Sequence, residues 1–143
     1  MKTHIKEFIS ETIEFPGNAQ LPVLCYKEAF KLDGKNGANT IMKKFQLHQW
    51  YKIWVNGIYD FHHYHSNNHE VLGIATGTCK VQLGGDAGII IEVARGDVLL
   101  IPAGVAHKNL ESSKNFSCVG AYSINVDYDI KKKKPTYKKL LLC

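Results

Sequence analysis

A chain of 143 residues suits one domain, and a domain of this size buries about 68–70% of its unfolded surface, so a core needs no cross-links. Apolar residues make up 45% and charged residues 22%, an ordinary globular balance, and no run approaches the ~18 apolar residues of a membrane span. The net charge of +5 is unevenly placed: residues 131–143 hold six lysines and no acid, and the rest of the chain holds 12 basic and 13 acidic residues. The excess therefore belongs to a tail, which argues against a basic nucleic-acid-binding face.

The N-terminal stretch MKTHIKEFISETIEF carries acids where a signal peptide needs an apolar core, so a cytosolic protein is expected. Between residues 4 and 30, short apolar stretches are broken at Pro16-Gly17-Asn18, and Val23–Phe30 reads as a strand. Residues 33–39 (DGKNGAN) read as a loop. Thr40 is expected to cap a short helix, with Ile41, Phe45 and His48 on one face and Lys43 and Lys44 outward. From Trp50 onward, short β-rich runs recur every ~8–12 residues, the signature of an all-β barrel or sandwich. Gly84-Gly85-Asp86, Gly96-Asp97 and Pro102-Ala103-Gly104 punctuate them as turns. Cys25, Cys79, Cys118 and Cys143 form no CxxC pair and are expected as reduced thiols. Lys131–Lys134 follows the last expected strand as a solvated charge block.

Five of the seven histidines lie between His62 and His107. If Phe61–His65 is extended, His63 and His65 share one face and His62 and Tyr64 the other. Two imidazoles can then approach one metal ion from one side. Four loop residues lead from His65 to Glu70, which opens the next strand, and His107 follows the Pro-Ala-Gly turn.

These residues carry a resemblance. Cupins have a first motif of the form G-x5-H-x-H-x4-E-x6-G, matched by Gly57, His63, His65, Glu70 and Gly77. Their second motif, G-x5-P-x-G-x2-H-x3-N, is matched by Gly96, Pro102, Gly104 and His107, with Glu111 in place of the final Asn. The string FHHYHSNNHEVLG with GDVLLIPAGVAHKNL also resembles a group of small bacterial cupins called YjlB-like. In that group the C-terminal stretch is longer and less rich in lysine, so the tail is a departure.

The resemblance implies an all-β fold, a double-stranded β-helix or jelly-roll barrel, with one short N-terminal helix. Residues 1–130 would form a single domain, with its motifs at 57–77 and 96–111, and 131–143 a lysine-rich tail. It implies that His63, His65, Glu70 and His107 hold one divalent ion inside the barrel; three imidazoles and a carboxylate suit Fe, Mn, Ni, Co or Zn. It also suggests that Glu70 serves as a catalytic base and that the protein forms homodimers. Tyr64, Tyr122, Trp50 and Trp54 read as core or interface residues, His62 and His69 as surface or strand-pairing residues, and Lys80 as outward-facing.

Three classes of function are then open. The first is a dioxygenase-type enzyme acting on a small enolisable or diketone-like anion. The second is a sugar or keto-acid isomerase or epimerase, and the third a non-catalytic small-molecule-binding cupin. Neither a nucleic-acid nor a membrane partner is expected, and no helix-turn-helix segment flanks the barrel.

Overall fold

The computed structural model describes residues 4–133. The described chain forms β1 (His4–Ile9), β2 (Asn18–Tyr26), α1 (Gly37–Leu47), β3 (Tyr51–Asn56), β4 (Glu70–Thr76), β5 (Thr78–Leu83), β6 (Ile89–Ala94), β7 (Val98–Ile101), β8 (His107–Ser112) and β9 (Ser117–Tyr122). They make two antiparallel sheets, one ordered β1-β2-β7-β4-β9-β3 and one ordered β6-β5-β8. An isolated bridge between His63 and His107 lays residue 63 along the free side of β8 and extends the smaller sheet. The result is the expected all-β jelly roll with one short helix. No helix among the described residues is long and apolar enough to cross a membrane.

Strand alternation divides the large sheet into two apolar faces. On β4, Leu72 and Ile74 point inward and join Val23, Cys25, Val81, Leu83, Val93, Leu99 and Cys118 in the barrel core. Val71 and Ala75 point outward and pack with Ile41 and Phe45 of α1. Gly73 makes that seat possible: a Cβ there would lie 2.6 Å from Ile41 Cγ2 and 3.1 Å from the Phe45 ring. Cys25, Cys79 and Cys118 are buried free thiols, and burial raises the pKa of each. Cys143 lies outside the described residues.

Two expected elements shift. The strand expected over Val23–Phe30 runs instead over Asn18–Tyr26. It starts earlier because Asn18 pairs with Ile9 across the sheet, and it ends earlier because Glu28 turns to a φ of 53°. The N–H of Glu28 is held there by Asp97 Oδ1 at 2.9 Å. The helix begins at Gly37 rather than after Thr40, with Asn36 before its first turn and no side-chain cap hydrogen bond. Packing, with Gly37 itself buried, starts this helix rather than a hydroxyl cap. Thr40 lies inside it and donates to the Asn36 carbonyl at 3.2 Å, while His48 stands just beyond the last turn.

Candidate metal centre

The mouth of the barrel gathers four side chains from three stretches of chain. His63 exchanges main-chain hydrogen bonds with His107, at 3.1 and 2.9 Å, which sets the two rings side by side with centroids 4.1 Å apart. His65 follows two residues later on the same face, 5.7 Å from His63 and 5.8 Å from His107. Tyr64 points to the opposite side and packs with Phe15 and Ala106. Glu70 is the first residue of β4, where pairing to both Ile101 and Tyr122 holds it at the mouth. All four side chains are at least 95% buried.

The three imidazoles present ligand atoms within 4.8 Å of one another. Each Nδ1 is turned toward a main-chain carbonyl: His63 toward Phe61 O (3.1 Å), His107 toward Val105 O (3.1 Å) and His65 toward Asp129 O. An Nδ1–H donating to a carbonyl leaves the lone pair on Nε2, the tautomer a metal ligand requires. Glu70 Oε1 lies 3.0 Å from His107 Nε2 and 3.6 Å from His65 Nε2. His65 Nε2 is buried with no hydrogen-bond partner. Buried polar atoms are rarely left so, and a cation between these groups would satisfy it. The donor set therefore fits a divalent transition metal.

Charge is arranged accordingly. Burial alone would raise the Glu70 pKa, but the hydrogen bond with His107 and the neighbouring His65 ring hold it well below the carboxylate range. Burial, reinforced by the neighbouring His107, pushes His63 down to about 3, so it is a neutral donor. At His65 burial is outweighed by Glu70, and the pKa rises.

A cavity of about 220 Å³ opens onto this cluster. Tyr122 and Trp54 line it, so neither is only a core residue. Trp54 reaches the inside because β3 carries a register irregularity between Tyr51 and Trp54, with Lys52 at a φ of 54°. An even separation would put Trp50 and Trp54 on one face; instead Trp50 packs beside α1 and Trp54 faces inward. Gly120 on β9 makes room for it, since a Cβ there would lie 2.1 Å from the indole. Trp54 Nε1–H donates to the Tyr122 hydroxyl at 3.1 Å, and Tyr122 is the residue paired with Glu70 across the sheet. Burial, then the Glu70 charge, raises the Tyr122 pKa, so it remains a neutral phenol.

The other histidines serve the frame. His69 Nδ1 accepts from the Ala103 N–H at 2.9 Å, tying the Pro-Ala-Gly turn to the loop before Glu70. His62 points away from the centre and pairs with Asp86 at 2.7 Å. Lys80 is exposed and pairs with Glu111, the residue in place of the motif's Asn. Sequence reasoning missed Tyr128 and Ile130, which line the cavity, and Asp129, which holds His65. They lie in YSINVDYDI, which matches no motif.

No family model matches the chain. It is 38% identical over 128 residues to the uncharacterized protein YjlB of Bacillus subtilis (strain 168), covering 90% of this chain and 74% of that protein. Among solved structures it is similar to procruciferin, an 11S globulin from Brassica napus (TM-score 0.42, 16% identity, 78% of this chain and 22% of that one). A DUF861 family protein from Thermotoga maritima matches with TM-score 0.37 and 20% identity over 57% of this chain and 86% of that one. The ribosomal oxygenase YcfD from Escherichia coli, in complex with cobalt and succinic acid, matches with TM-score 0.43 and 15% identity over 87% of this chain and 35% of that one. The identity to YjlB over nearly the whole chain, on a jelly roll whose two motifs meet at one buried histidine cluster, makes this protein a member of the YjlB-like group of the cupin superfamily.

Proposed function

We propose that this cupin is a metal-dependent enzyme of the dioxygenase type, acting with O2 on a small enolisable or diketone-like anion. His63, His65, Glu70 and His107 would hold one divalent ion (Fe, Mn, Ni, Co or Zn). The observation that carries the reading is the convergence of three buried imidazoles, each held by a main-chain carbonyl at Nδ1 so that Nε2 faces the cluster, on a cavity of about 220 Å³. A bound ion would supply Lewis acidity toward a carbonyl or enolate oxygen.

The lining residues define the substrate's other end. Trp54, Ile58, Leu72 and Ile130 supply hydrocarbon and aromatic surface, and among the described residues no lysine or arginine lines the cavity. A ligand of one small anionic head and an uncharged, compact body fits that lining. Glu70 lies against two imidazoles at the head of the cavity, and its carboxylate would serve as a base once it is released from them.

The test is elemental analysis of anaerobically purified protein, beside oxygen uptake by an Fe(II)-reconstituted sample offered small diketones and acireductone-like compounds. About one ion per chain with substrate-dependent uptake supports the dioxygenase. Metal without uptake moves the reading to an isomerase or a binding module, to be separated by turnover of keto acids. Absence of any metal uptake overturns it.

A further inference from the structure

Residues 123–131 leave β9 and run beside the 64–69 loop that carries His65. Main-chain bonds join Ser123 to His69 (3.0 Å) and Lys131 to Tyr64 in both directions (2.8 and 2.9 Å). Between these ends, Asn68 Nδ2 donates to Ile124 O at 3.2 Å, and Asn67 Nδ2 to Asp127 O at 2.9 Å. Asp129 is the junction. Its N–H donates to Asn67 Oδ1 at 3.2 Å, and its carboxylate accepts from the Ser66 N–H at 2.7 Å and from the Ser66 hydroxyl. Its carbonyl accepts from His65 Nδ1. One residue earlier, Tyr128 stacks on Tyr122 with centroids 3.9 Å apart and meets the His65 ring at 5.4 Å.

The three histidines differ in how they are held. His63 and His107 are each oriented by a carbonyl two residues upstream, so their own segments fix them. His65 depends on a carbonyl 64 residues away. Nothing local to the motif supplies that acceptor; the Ser66–Asp129 latch delivers it.

We infer that Asp129 is a positioning residue of the metal centre, and that residues 123–131 form a strap that sets the His65 ring and walls the cavity beside it. The inference rests on the metal reading proposed above. Loss of such an outer partner typically lowers metal affinity about 10–100-fold.

Co(II) titration of the full chain tests it, with affinity read by chelator competition and ligand geometry by the visible absorption of bound Co(II). The parent chain is compared with Asp129→Ala, Asp129→Asn and Ser66→Ala, and each metal-free protein is melted alongside. Asp129→Ala should bind about 10–100-fold more weakly, with an altered Co(II) spectrum and an unchanged metal-free melting temperature. Asp129→Asn, which keeps an oxygen for the Ser66 N–H, should recover most of the affinity. If Asp129→Ala also lowers the metal-free melting temperature, Ser66→Ala decides, since it removes a single latch contact: weakened binding with an altered spectrum supports the strap. Parent-like affinity and spectrum in both Asp129→Ala and Ser66→Ala overturn it while the metal reading stands. A parent chain that takes up no Co(II) overturns the metal reading and the strap together.

Discussion

The inward face of β4 changes chemistry within three alternate positions: Glu70 at the mouth, then Leu72 and Ile74 in the barrel core. The core end is held by apolar burial alone, with Val23, Cys25, Val81, Leu83, Val93 and Leu99 around it. The mouth buries His63, His65, Asn68, Glu70 and His107 in one small region. Burying hydrocarbon stabilises a fold, whereas burying polar and charged groups costs free energy unless each finds a partner. The core end therefore supplies stability that the mouth draws on, and the two ends should respond differently to substitution.

The largest effect should come from the core. Ile74→Ala, fully buried in the core and outside the cavity lining, is expected to lower the unfolding free energy by about 2–5 kcal/mol, read by denaturant titration of the metal-free protein, while the bound metal per chain stays near the parent value. A parallel loss of metal would show that the two ends are not separable.

Next comes the mouth. His63→Ala or His65→Ala should abolish metal uptake, and with it the stabilisation that metal confers, about 2.7 kcal/mol at a hundredfold excess over the dissociation constant. Unchanged metal content in both variants, by elemental analysis, would exclude the ligand set.

Acid should separate the ends without changing the core. His63 is pushed down to about 3 from 6.5, so the unfolded chain takes up a proton before the folded one does. Stability from its neutral form is present above pH 6.5 and is lost as pH falls toward 3, by at most about 1.4 kcal/mol per pH unit. His65 is raised and thus charged in both states across most of that window, so it adds little slope. His63→Gln should flatten the acid limb of metal-free stability measured by denaturant titration; an unchanged limb would mean that another group sets it.

The smallest effect is expected at His62, which faces away from the centre and pairs with the exposed Asp86. His62→Ala should leave metal content intact and cost less than the core substitution, since it removes one hydrogen bond, worth about 0.5–1.5 kcal/mol, and a ring packed beside Phe15. A loss of metal there would place His62 in the centre's support and redraw the boundary between site and frame.

Much of the site was legible because its determinants are local. His63 and His65 share a face by strand alternation, and four loop residues place Glu70 at the head of the next strand. Glycine and proline marked the turns that bring His107 alongside. The burial of Ile41 and Phe45 on one helical face was equally readable, although the start of the helix was not, because packing at Gly37 outweighs capping propensity.

The amino-acid sequence by itself determined the β architecture, the spacing of the two motifs and which side chains can serve as metal donors, since all of these follow from short-range periodicity and turn chemistry. Tertiary structure alone decided three further things. The irregularity in β3 turned Trp54 into the cavity, against the alternation that would pair it with Trp50. Pairing across the sheet set Tyr122 beside Glu70 and brought its hydroxyl to the Trp54 indole N–H. The strap after β9 brought the Asp129 carbonyl to His65. Each depends on contacts between residues far apart in the chain, whose register is set only when both partners pack against the same core.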